Sequence, residues 1–502
     1  MDHSAPPRAL SWTSLVVLTL LAALVEATIL FPSTLFPTTR LAAALSWDAS
    51  RHDYPSPETP AGETPATPEA VTPATPAPQA PAPAAPVARR GDARAISGRV
   101  LDAATGSPLR GASVWAGLTE HVTNAEGRFT TAPVEPGATV WVKTPGYERK
   151  KLLGGEGGAE VTVKLAPHPI RAAYLTYYGV ADRTIRQRVF DLVERTELNA
   201  VVIDVKGDRG LIPYRTSVQA AIDAGAQGPV IIKDFDEQLA AWKARGIYTI
   251  ARIVVFKDNV RANARPDLAV IDTRTGKPWI DRENLAWVDP FREENWDYII
   301  AVSKEAALKG FDEIQFDYVR FPTDGKLAAA RYSQPNSSAT RLPAIAGFLA
   351  KARRELGPTG AFLAADIFGY TAFNVNDTDI GQRIEELSVS LDYICPMVYP
   401  SGYHLGIPGV RNPMVNPYEI VKESVRLTRQ RSQNPAAQVR PWLQDFKDYA
   451  FDKRIFGPGE VRAQIRGSDD GGGSGWMLWN PKNDYTGAAL RPKTSAISKS
   501  SQ

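Results

Sequence analysis

FDEIQFDYVRFP, residues 311–322, is the stretch from which the fold is read. Successive side chains of a strand point to opposite faces. Ile314, Phe316 and Tyr318 therefore share one face, and Glu313, Gln315 and Asp317 the other. Both faces carry apolar or amide-bearing residues, so neither reads as solvated, and the segment is expected to be a buried strand. A charged Asp317 at the end of such a strand is costly unless it is paired or working. Tyr318 and Arg320 follow at once. Pro322 and a long loop come next rather than a helix start, so Asp317 does not read as a helix cap.

Working outward, apolar strands are predicted at residues 170–176, 200–205, 247–255, 313–319, 361–368, 391–399, 439–445 and 475–480. Helical periodicity fills the gaps, at 183–196, 235–245, 294–309, 339–356, 380–387, 418–431 and 460–466. Eight strands alternating with helices indicate an α/β fold, a closed (β/α)8 TIM barrel over residues 168–488. An open doubly wound sheet is the alternative. No GxGxxG or GxxxxGK[ST] follows a strand, which weakens a nucleotide-binding version.

Upstream, residues 95–167 read as a small all-β sandwich, with short alternating runs punctuated by turns such as Thr105-Gly106-Ser107-Pro108. Trp115 and Trp141 read as its core, with sugar binding the alternative. Residues 32–94 hold a Pro/Ala/Thr tract that forms neither helix nor sheet and is expected to be an extended stalk. Residues 1–31 carry an apolar core, 15–25, interrupted by Glu26; this suits either a signal anchor or a cleaved signal peptide. Both send the chain outside the cytoplasm, membrane-anchored or secreted. A disordered tail is expected over 489–502.

Charge is nearly balanced, with 58 basic against 55 acidic residues, so nothing points to a nucleic-acid partner. One cysteine, Cys395, excludes an internal disulfide framework and reads as inert packing. Five scattered histidines make no ligand pair, so no metal or organic cofactor is expected. The protein reads as a monomer.

Barrel active sites lie at the C-terminal ends of the strands. The polar and aromatic residues there are Asp204 and Lys206, Arg252, Asp317 and Arg320, Asp366, Tyr399, then Trp442, Gln444 and Asp445, and Trp479. Aromatic faces stack on pyranose rings, and carboxylates and amides bind their hydroxyls, so the mixture suits a sugar. Glycoside cleavage needs two carboxyl groups flanking the bond. Asp317 and Asp366 end adjacent strands and are the candidate catalytic pair. The others are candidate substrate ligands, each with a plainer role: Asp204 pairs with Lys206 or Arg252, Trp442 and Trp479 belong to the core, and Asp445 faces the helices by parity. Asp312, at the start of its strand, reads as structural.

The motifs at 311–322, ADIFGY at 365–370, DYICPMVY at 392–399 followed by PSGY, and RPWLQDF at 440–446 resemble a bacterial family of glycoside hydrolase-like barrels related to the alpha-amylase-like barrels. The resemblance covers nearly all of 170–487 and implies a TIM barrel acting on glycosidic bonds. It maps the nucleophile onto Asp317. The acid/base of alpha-amylase-like barrels is usually a glutamate ending the fifth strand, and here Asp366 stands there. The order of turns in 98–147 resembles the carboxypeptidase regulatory-like family, which implies a transthyretin-like sandwich without catalysis. The expected function is hydrolysis of an extracellular or cell-envelope polysaccharide. A non-catalytic carbohydrate-binding or envelope-organising module is the alternative; a polysaccharide deacetylase, needing metal ligands, is a further one.

Overall fold

The computed structural model describes residues 93–155 and 160–493. The expected signal segment and nearly all of the stalk lie outside the described residues.

Eight parallel strands close into a barrel. In chain order they are Ile170–Leu175, Ala200–Lys206, Tyr248–Val254, Glu313–Asp317, Phe362–Phe368, Tyr393–Met397, Trp442–Gln444 and Gly475–Trp479. The eighth pairs back onto the first, Gly475 opposite Ile170, which seals the cylinder. All eight are found where apolar runs predicted them. The seventh is broken: Gln438–Val439 pairs with the sixth strand before Arg440 and Pro441 intervene, and strand pairing resumes at Trp442. Proline has no N–H to give a ladder, which accounts for the interruption.

Helices Arg183–Arg195, Phe235–Ala244, Glu293–Lys309, Ser338–Leu356, Pro417–Arg431 and Pro458–Asp470 form the outer ring. The helix expected over 380–387 shrinks to Ile384–Leu387. Thr378, Asp379 and Gly381 all have positive φ, which a right-handed helix cannot contain.

Side-chain parity separates two cores. Outward-facing residues such as Ile203, Ile253, Ile314 and Ile367 pack against the helices. Inward-facing ones, Ala172, Val202, Ile250, Ala364, Cys395 and Met477 among them, fill the barrel. At the bottom of the interior Glu313 and Arg440 form a fully buried ion pair across the lumen, and the Tyr248 hydroxyl donates to Glu313 at 3.0 Å.

The preceding strands form a three-stranded and a four-stranded sheet that share one apolar core, including Val100, Val114, Phe129, Val140 and Val163. This unit packs under the barrel, at the N-terminal ends of its strands. Lys143 bonds Asp392 at 2.7 Å and the carbonyl of Ala361, and Arg149 meets Asp312 at 3.0 Å. Trp115 and Trp141 lie against Gly357 and Gly360, where a Cβ would come within 2.1 and 2.3 Å of their rings. Both tryptophans are thus packing residues between the two units. At the other end of the chain, Leu490 is buried and the Lys493 N–H donates to Arg195, so the chain stays packed as far as residue 493.

Candidate active site

Four strands deliver charged groups to the C-terminal mouth of the barrel. Arg252, near the end of the third strand, lies between two carboxylates. Its Nη1 donates to Asp204 at 2.6 Å, while Nε and Nη2 both donate to Asp317 Oδ2, at 3.1 and 2.5 Å. The second oxygen of Asp317 accepts the Tyr318 N–H at 2.6 Å. Tyr318 itself adopts φ of 50°, the left-handed region that a bulky side chain rarely enters. Strain of this kind persists where the surroundings enforce it, and it gathers at functional sites. The turn brings the Tyr318 ring between Lys257 and Arg320, at 5.1 and 4.7 Å.

Asp366, near the end of the fifth strand and beside Asp317, is bound on one side only. Its Oδ1 accepts from Gln315 Nε2 at 2.9 Å and from Trp442 Nε1 at 2.7 Å. Its Oδ2 is buried and has no hydrogen-bond partner among the described residues. Burial, and then the charge of Asp317, push the Asp366 carboxyl well above the usual range. A carboxyl whose two donors both bind Oδ1 carries its proton on Oδ2. When protonated there it is an acid with one unused donor, next to the ion-paired carboxylate of Asp317.

The far side of the mouth is aromatic. Tyr174 stacks on Trp479 with centroids 4.0 Å apart, and Trp442 meets Trp479 edge-on at 5.4 Å. Tyr174 also donates its hydroxyl to Asp204 Oδ2 at 2.6 Å. Tyr399 packs edge-on to Phe446, which stacks with Tyr449. A ring-lined wall facing carboxyl groups is an arrangement that can hold a sugar and move a proton.

Residues 172–485 match the family model described as "Putative glycosyl hydrolase domain". The chain belongs to this family. Solved structures similar to this glycosyl hydrolase domain include a hypothetical protein from Ruminiclostridium thermocellum, 38% identical, covering 39% of this chain and 96% of that one, with a TM-score of 0.35. The glycoside hydrolase domain of PgaB (BpsB) from Bordetella bronchiseptica is 16% identical, covering 63% and 95%, with a TM-score of 0.47. The spore cortex-lytic enzyme SleL of Bacillus megaterium is 9% identical, covering 68% and 75%, with a TM-score of 0.40. No curated protein matches the chain.

Within the glycosyl hydrolase domain, the candidate residues divide. Asp204, Arg252, Asp317, Asp366, Tyr399, Trp442 and Trp479 line the interior and mouth, and Arg320 stands at the rim over Phe368. Lys206 does not join them. The pairing of the second and third strands slips, with Arg252 opposite Asp204 but Ile253 opposite Lys206. This bulge turns Lys206 to the helix side, where it meets Asp258 at 2.8 Å beneath Tyr298. Gln444 braces the neighbouring loop through the Ser401 N–H and hydroxyl, at 3.0 and 2.7 Å. Asp445 accepts both the N–H and the hydroxyl of Thr486, and burial, against those bonds, pushes its carboxyl up to about 6. Two residues outside the predicted set belong to the site. Gln315 shares the inward parity of Asp317, and Tyr174 faces inward from the first strand; parity alone marks both.

Among the described residues, no group of three or more His, Cys, Asp or Glu side chains is arranged to hold a metal ion.

Proposed function

We propose that the barrel hydrolyses glycosidic bonds of an extracellular or cell-envelope polysaccharide, with Asp366 as proton donor and Asp317 as nucleophile or stabilising carboxylate. The family makes the domain a glycosidase. The observation that supports these roles is the asymmetry between the two carboxyl groups. Asp366 is buried, is held by two donors on Oδ1 and leaves Oδ2 unused, whereas Asp317 is paired with Arg252. Cleaving an acetal needs one acid kept protonated and one carboxylate kept charged, and neighbours that treat them differently supply that difference. A leaving oxygen placed at Asp366 Oδ2 would complete its one missing hydrogen bond and receive its proton.

Asp204 and Arg252 hold Asp317 in place and, with Tyr399, orient the sugar; Trp442 positions Asp366 through its Nε1, and Trp479, stacked on Tyr174, backs the aromatic wall. The signal segment and the Pro/Ala/Thr tract support delivery outside the cytoplasm, and the small N-terminal unit is read as a transthyretin-like support. The test is release of reducing ends from bacterial envelope and extracellular polysaccharides by the full chain, Asp317→Asn and Asp366→Asn. The wild type should act, and each variant should lose about 100-fold or more in kcat. Undiminished activity in either variant would remove that residue from the mechanism. Binding without release by all three would make the barrel a carbohydrate-binding module.

A further inference from the structure

Arg320 is the buried cation at the mouth whose hydrogen bonding is incomplete. It is 7% exposed. The other two cations nearby are matched: Arg252 by Asp204 and Asp317, and Lys257 by Asp281 and Glu283. Arg320 has no carboxylate within ion-pair distance among the described residues, although the fields of Asp317, Asp324 and Asp281 reach it. Its Nη1 donates to the Phe321 carbonyl at 3.0 Å and to the Thr323 hydroxyl at 3.4 Å. Nε and Nη2 bond no described residue, and neither is a buried unpartnered atom, so both open toward solvent.

Three rings hold the guanidinium: Trp287 at 5.2 Å, and Tyr318 and Phe368 at 4.7 Å each. Tyr318 directly follows Asp317, and Phe368 lies two residues beyond Asp366. The cation is therefore fixed beside the ends of the fourth and fifth strands, within the field of Asp317. Ring faces offset part of the cost of burying a charge. They cannot satisfy N–H donors, and a planar fork with two unused donors matches a carboxylate in geometry and charge.

We propose that Arg320 binds the carboxylate of an acidic sugar next to the scissile bond, so that the substrate is a polysaccharide containing uronic acid or another carboxylated sugar. This rests on the glycosidase reading given above. The test compares binding of uronate- and muramate-containing oligosaccharides with binding of their carboxyl-reduced, neutral counterparts, using the full chain and Arg320→Gln. At least one acidic oligosaccharide should bind the wild type about tenfold more tightly than its reduced form. Arg320→Gln should close that gap, and Arg320→Lys, which keeps the charge but loses the fork, should narrow it.

No acidic member preferred over its reduced form, or a preference that persists in Arg320→Gln, would overturn the proposal. A wild type without acidic preference overturns the proposal with no variant needed, and Arg320→Lys, the milder change, carries the assignment to Arg320 where Arg320→Gln fails to fold. The two readings fail separately. Selective binding without bond cleavage would sink the glycosidase assignment and leave the carboxylate site standing. Cleavage of neutral and acidic glycans alike would do the reverse.

Discussion

Asp366 bears an opposition between stability and chemistry. Its carboxyl titrates far higher in the folded protein than in the unfolded chain, first through burial and then through Asp317. Such a group favours the fold fully below its unfolded value of about 4, and that contribution is lost as pH rises through the folded value. At neutral pH the residue therefore destabilises the molecule. Asp366→Asn, which can still accept from Gln315 and Trp442, should raise the melting temperature at pH 7 by on the order of a few degrees while activity is lost. Below about pH 4 the difference should vanish. Thermal melts across pH check this; a variant less stable than the wild type at pH 7 would contradict the assignment of a raised carboxyl. Sequence parity was enough to bring Asp317, Asp366 and Arg252 to one mouth. It could not show that Gln315 and Trp442 select one oxygen of Asp366, because that depends on side-chain reach across the lumen.

At the scale of elements, the strands were legible because a strand covered on both faces leaves a run of apolar residues that nothing else in the chain imitates. What escaped reading were local departures from regular pairing. Lys206 keeps the parity of Asp204 in the sequence, yet the bulge beside Arg252 turns it outward. The seventh strand is split around Pro441, and the helix expected at 380–387 loses its first turn at Gly381, whose φ is positive. Docking of the N-terminal unit under the barrel was equally hidden, since it depends on two glycines fitting two tryptophans. It also supplies a test. Lys143→Met removes the cation that bonds Asp392 and the Ala361 carbonyl, leaving Arg353, at 3.4 Å, and the Leu363 N–H, at 2.9 Å, on that carboxylate. Losing one partner of a buried pair should cost about 3 kcal/mol in urea unfolding. Because the contact is at the end of the barrel away from the mouth, kcat should be unchanged. An equal fall in kcat would mean that the docked unit shapes the site.

Across the whole molecule, polar groups lie in the lumen at three heights: Glu313 with Arg440 at the bottom, Gln315 at the level of Trp442, and Arg252 with its carboxylates at the top. Glu313→Gln should destabilise by about 3–5 kcal/mol, since Arg440 is left charged and buried. Glu313→Gln combined with Arg440→Met should recover part of that loss, as measured by urea midpoints for the single and double variants. An additive double variant would show that the pair is not coupled. This pair also bears on assembly. Its members are 127 residues apart, one in the first four strands and one in the last four. A half-barrel severed after the fourth strand would keep Glu313 without its cation, and the complementary half would keep Arg440 without its anion. Neither fragment has a reason to persist alone, and contacts so distant in sequence form late and slowly. The cylinder is thus built to close in one cooperative event rather than from two pre-folded halves.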